Sequence, residues 1–87
     1  MVGGYSSSDV DQVAVDLAVE RINLKVNTMV PLQLKAVEGF QTQVVAGRNM
    51  SFTLVLEING AEERHACVVF RDLQGNYEFD ENAHSKL

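Results

Sequence analysis

Met50-Ser51-Phe52-Thr53-Leu54-Val55-Leu56-Glu57-Ile58-Asn59-Gly60 is the stretch on which the fold turns. Met50, Phe52, Leu54, Leu56 and Ile58 alternate with Ser51, Thr53 and Glu57. A period of two puts one set on a buried sheet face and the other on the opposite face. Asn59-Gly60 closes the run, because a two-residue type I′ turn needs positive φ at both central positions and these residues tolerate it best. That turn pairs Ile58 with Ala61, so paired positions sum to 58 + 61 = 119 along a return strand predicted over 62–72. The register turns Cys67 and Val69 inward with the even-numbered set. It leaves Val68 and Phe70 on the other face, an apolar pair exposed unless a partner covers it.

Upstream, Leu32, Leu34, Ala36, Phe40 and Val44 also alternate with mostly polar neighbours, and Glu38-Gly39 interrupts them as a bulge. Downstream, Leu73-Gln74-Gly75-Asn76 reads as a turn into Tyr77-Glu78-Phe79. Before Pro31 the period lengthens to about 3.6. Asp9, Gln12, Asp16, Glu20, Asn23 and Asn27 fall in one polar stripe, the solvated side of a helix. Val10, Val13, Ala14, Leu17, Ala18, Ile22 and Leu24 lie opposite, an arc wide enough to call for a helix wrapped by the sheet. Ser8 or Asp9 is the predicted cap, with Asp9 and Asp11 in the first turn, and Pro31 prevents continuation. The order is one helix followed by a meander of four strands, an α+β architecture in a single domain over 1–87. Residues 1–8, rich in Gly and Ser, read as a mobile leading segment.

Seven basic against twelve acidic residues give a net charge of −5 over 87 residues. That balance lacks the clustered cations of a nucleic-acid binder and argues against an anionic membrane surface. No run approaches the ~20 apolar residues of a bilayer span, and no signal-peptide pattern opens the chain. One cysteine, Cys67, excludes an internal disulfide framework and supplies too few soft ligands for structural zinc, so no metal or other cofactor is expected. Cys67 and His65 share a strand face, poor geometry for a nucleophile and base, and Cys67 reads as a buried apolar thiol. His84 is expected in a solvent-exposed tail. With no assignable acid–base pair, an enzyme is the weakest class of reading.

Gln43-Val44-Val45-Ala46-Gly47, between the second and third periodic stretches, is an unusual hairpin connection because its tip is small and apolar. Such a tip loses hydration free energy in water and gains by entering a partner's groove. The pentapeptide resembles the Gln-x-Val-x-Gly loop of the cystatins, inhibitors of papain-like cysteine proteases. A preceding helix, flanking alternating strands, Gly3-Gly4 near the start and a Gly-containing turn about 30 residues later extend the resemblance over the whole chain. It implies a long helix gripped by a strongly curved antiparallel sheet of four to five strands.

By the same resemblance, Val2-Gly3-Gly4 is the inhibitory trunk, Gln43, Val44, Val45, Ala46 and Gly47 form the first binding loop, and Leu73, Gln74, Gly75 and Asn76 form the second. Gly75-Asn76 stands where most secreted cystatins carry Pro-Trp; Leu73-Gln74-Gly75-Asn76 is closer to the stefins, with some likeness to tick cystatins. The four disulfide-bonded cysteines of secreted cystatins are absent from this chain. The implied activity is reversible, competitive, tight-binding inhibition of cathepsins of the L, S and B class. The alternative is a cystatin-fold interaction module that uses the Val68/Phe70 face and inhibits weakly or not at all. Asn27 lies 16 residues before Gln43, where some secreted cystatins hold a legumain-binding Asn; the plainer reading is an Asn ending a helix. Asn49-Met50-Ser51 is a formal glycosylation sequon that matters only in a secreted chain. Backbone strain at Val45 would favour exchange of the helix and first strands between monomers into a domain-swapped dimer. Localisation stays open between a cytoplasmic protein, by cysteine count and lack of a signal, and a trimmed secreted one.

Overall fold

A computed structural model describes residues 4–26 and 30–87. Chain order is β1 (Ser6–Ser7), α1 (Gln12–Lys25), β2 (Gln33–Val45), β3 (Gly47–Ile58), β4 (Ala61–Arg71), β5 (Tyr77–Phe79) and β6 (Ser85–Lys86). The strands form one antiparallel sheet in the order β1-β2-β3-β4-β5, with β6 also pairing β4. The α+β class therefore holds, but six strands replace the expected four or five. Both additions are two-residue edges: Ser6 and Ser7 pair with Thr42 and Gln41, and Ser85 and Lys86 pair with Ala66 and His65. Polar dipeptides carry no apolar alternation, so nothing local marks them as strands.

The β3–β4 hairpin keeps the expected register without interruption, from Ile58↔Ala61 to Arg48↔Arg71. Asn59 at φ 52° and Gly60 at φ 80° make the turn. Met50, Phe52, Leu54, Leu56, Ile58, Cys67 and Val69 are all buried on the inner face. Val68 and Phe70 point the other way and are half-buried rather than bare. Strand β2 breaks register between Leu34 and Ala36 and again between Glu38 and Gln41, the second break at Gly39, whose φ is 60°. These bulges bend β2 and return Phe40 to the core, where its ring stacks on Phe52 at 5.1 Å. Val55 is buried on the outer face, flanked in register by Ala36 and by Arg64, whose guanidinium reaches Glu38. The aliphatic stems of long charged side chains shield such a residue from water.

Helix α1 is shorter than expected and is not wrapped all round. Its 14 residues span about 21 Å. Ala14, Val15, Ala18 and Ile22 are fully buried, while Val13 and Leu24, and Val10 ahead of the helix, are exposed. Val15 was not in the expected apolar set. The helix lies nearest β4 and β5, and one narrow face suffices there. The cap is Asp11, not Ser8 or Asp9: its carboxylate Oδ1 accepts from the amides of Val13 (3.0 Å) and Ala14 (3.4 Å). Ser8 is committed elsewhere. Its amide donates to the Phe40 carbonyl at 3.3 Å and its hydroxyl meets Thr42 Oγ1 at 2.7 Å. Residues 4–8, expected to be mobile, thus run along the β2 edge as far as Ser8. At the other end Val26 leaves the helix in an extended conformation, its amide still bonded to Ile22 O at 3.0 Å.

Candidate functional site

The β2–β3 connection is as tight as a hairpin can be made. Gln43 pairs with Asn49, Val44 with Arg48 and Val45 with Gly47, leaving Ala46 alone at the tip. The Gln43 side-chain oxygen accepts from Asn49 Nδ2 at 3.2 Å, which ties the two strands just behind the tip. Val44 is 61% exposed, Ala46 is exposed, and Gln43 and Val45 are half-buried. The reversal is made at Gly47, with φ at 110°. Among the described non-glycine residues only Asn59 has positive φ, so the strain expected at Val45 is absent and the unusual angle sits on a glycine. Gly47 is also a contact. A Cβ there would stand 2.4 Å from the Arg71 carbonyl oxygen and 2.8 Å from Phe70 Cζ. The Phe70 ring therefore closes over the base of this loop.

The β4–β5 connection is organised by one carboxylate. Asp72 Oδ1 accepts from the amides of Gln74 and Asn76, both at 2.9 Å, and its Oδ2 accepts from Asn76 Nδ2 at 3.2 Å. The Asp72 amide donates to Asn76 O at 2.9 Å, and Gly75 turns the chain at φ 89°. These donors, with the Asn76 amide foremost, hold the Asp72 carboxyl below its ordinary range. Leu73, having no part in this cage, projects outward and is 78% exposed.

The two connections lie side by side. A shallow groove of ≈ 330 Å³ lies between Val44 and Val45 on one side and Leu73 and Gly75 on the other, and exposed Arg48 and Arg71 also line it. A wider cleft of ≈ 720 Å³ runs from Gly4 to Asp9 along the leading segment and reaches Val44, Arg48 and Met50. Gly4 is exposed, with open space around its Cα. The structure thus brings Gly4, the 43–47 tip and the 73–76 loop to one end of a molecule 45 Å long. Val2, Gly3 and Asn27 lie outside the described residues.

Sequence reasoning passed over Arg48 and Arg71. They face each other across β3 and β4, and the guanidinium of Arg71 lies 5.4 Å from the Tyr77 ring centre. Their pairing follows from the position sum of 119 and was available from the start. Tyr77 in turn donates its hydroxyl to Asp11 Oδ2 at 2.8 Å, so the helix cap is bound to β5 next to this end. Burial first, and the Asp11 hydrogen bond second, raise the Tyr77 pKa.

Cys67 is unsuited to nucleophilic work. Burial pushes its thiol up to about 12, and its Sγ faces the His65 carbonyl oxygen at 3.7 Å. Both ring nitrogens of His65 are engaged by other side chains, Nδ1 by His84 and Nε2 by Glu63. His84 is not the exposed tail residue expected of it; its ring stacks on His65 at 5.1 Å and lies 5.6 Å from Phe79. No helix among the described residues is long and apolar enough to cross a membrane. Neither family models, curated proteins nor solved structures compared with the chain gave a match.

Proposed function

We propose that this chain is a cystatin-like inhibitor of papain-like cysteine proteases, acting as a monomer by reversible, competitive, tight binding to cathepsins of the L, S and B class. The observation that carries the reading is the apolar Gln43–Gly47 tip standing beside the projecting Leu73, with a groove between them. Together with the leading segment they make a blunt edge, apolar at Val44, Ala46 and Leu73 and flanked by Arg48 and Arg71, that fits a cleft rather than a flat surface. Desolvation of Val44, Ala46 and Leu73 supplies binding free energy. Hydrogen bonds already made within the protein, Asn49 to Gln43 and the amides of 74 and 76 to Asp72, keep the ordering cost of binding low. The tip is held in a closed hairpin up to Val45↔Gly47, so it offers the enzyme no extended peptide bond to attack. On this reading Val2 and Gly3 bind the non-primed side of the enzyme's cleft.

Titration of papain and cathepsin L with the protein tests the proposal: activity falls stoichiometrically and returns on dilution. Val44→Asp or Val45→Asp places a carboxylate in the buried interface without a partner and raises the inhibition constant by about 100-fold, a cost of ~2.7 kcal/mol. Full protease activity at micromolar protein would refute inhibition and leave the interaction-module alternative standing.

A further inference from the structure

On the inner face of β4, four side chains from α1, β4 and the β5–β6 turn form a continuous hydrogen-bond relay. Lys25 Nζ at the end of α1 lies 3.2 Å from His84 Nδ1; His84 Nε2 lies 2.9 Å from His65 Nδ1; His65 Nε2 lies 3.0 Å from Glu63 Oε1. The proton positions follow from chemistry alone. An ammonium has only donors, so His84 Nδ1 accepts and its proton sits on Nε2. That proton is donated to His65 Nδ1, which leaves the His65 proton on Nε2, pointing at the carboxylate. Both imidazoles are therefore neutral, each in a single tautomer. We propose that this relay is an acid-sensitive latch, with His84 as the sensor, that holds segment 80–87 against β4 at neutral pH and releases it on protonation.

A second proton on His84 has no place to go. It would sit on Nδ1 and oppose the Lys25 ammonium donor to donor. A proton on His65 Nδ1 has the same consequence one step later, since His84 must then accept at Nε2 and carry its own proton at Nδ1. The surrounding charges do not relieve this. Glu81 faces the site from the β5–β6 turn but is already ion-paired with Lys25. Glu63 lies beyond His65 and is shared with Lys86 of β6 at 3.3 Å. Phe79 on β5 contributes only its ring, with Lys25 Nζ 5.6 Å from its centre. Burial first, then the Lys25 ammonium, lowers the His84 pKa, in keeping with a neutral resting state. The segment's other ties to β4 are the pairing of Ser85 and Lys86 with Ala66 and His65, the Leu87 amide to Arg64 O at 2.8 Å and the Asp80 amide to Val68 O at 2.9 Å.

Amide exchange read by NMR tests the latch on the intact protein. Between about pH 7.5 and pH 5, the Leu87 amide should lose at least about tenfold of its protection after correction for intrinsic exchange, while the Leu54 and Leu56 amides stay protected. His84→Gln keeps an acceptor for Lys25 and a donor for His65 but cannot titrate, so its loss over the same range should stay under about twofold. Unchanged Leu87 protection in the wild-type protein, or an equal loss in His84→Gln, overturns the proposal. So does loss of Leu54 and Leu56 protection over the same range, which would mean global unfolding. None of these readouts depends on protease inhibition.

Discussion

Gly47 meets two requirements at one position: its φ of 110° turns the hairpin, and its missing side chain admits the Arg71 carbonyl and the Phe70 ring. Gly47→Ala should therefore destabilise the protein by about 2–4 kcal/mol, because the backbone contact cannot yield as a flexible side chain would. A chemical-denaturation midpoint within experimental error of the wild type would contradict that. In the sequence Gly47 was legible as a turn residue, yet its packing role was not, because Arg71 is 24 positions away along the chain. Asp72 teaches the same lesson differently. As the first residue of an Asp-x-x-Gly-Asn stretch it signals a turn, while the five hydrogen bonds of Asp72 that leave Leu73 outward are visible only in three dimensions. Since its folded pKa lies below the unfolded value, Asp72 stabilises the loop above the ordinary carboxylate range. That contribution is lost as pH falls through the lowered folded value. The Gln74 and Asn76 amides should accordingly lose exchange protection in acid, and Asp72→Ala should lose it at all pH values.

At the level of elements, helix α1 shows where pattern reading stops. Its existence and its approximate span followed from spacing, but its start moved to Asp11 and its buried face turned to include Val15 and omit Val13 and Leu24. The cause is competition: Ser8 bonds to Phe40 and Thr42, so the chain stays extended past the first capping candidates. Asp11 then does two jobs, capping Val13 and Ala14 with one oxygen and accepting from Tyr77 with the other. Asp11→Ala should cost about 1–2 kcal/mol, the usual loss of a cap and a side-chain hydrogen bond. In a double-mutant cycle with Tyr77→Phe, the coupling should exceed about 0.5 kcal/mol; strict additivity would show that the hydroxyl contact contributes nothing to stability. The register of the β3–β4 hairpin, by contrast, was legible in the sequence. A two-residue turn with positive φ at Asn59 and Gly60 leaves one register, and one register orients every side chain from Arg48 to Arg71.

On the scale of the whole molecule, the two loops and the leading segment meet at one end, and the His65–His84 relay lies part-way along β4 on the face toward the helix. If the apolar end is a binding edge, Leu73→Asp should weaken inhibition of papain by roughly 30-fold or more while leaving the denaturation midpoint unchanged, since Leu73 contacts mainly solvent. Equal inhibition by the variant would remove the second loop from the interface. The amino-acid sequence by itself determined the helix-then-hairpins order, the inner face of β3 and β4, the bulge at Gly39 and the apolar character of the 43–47 tip. Each of these rests on a local period or a turn rule. Only tertiary structure decided the two short edge strands, the true helix cap, the outer-face burial of Val55 and the pairing of His65 with His84. Those features join residues that are distant in the chain, and their energies come from hydrogen bonds and desolvation that exist only once the sheet has brought the partners together.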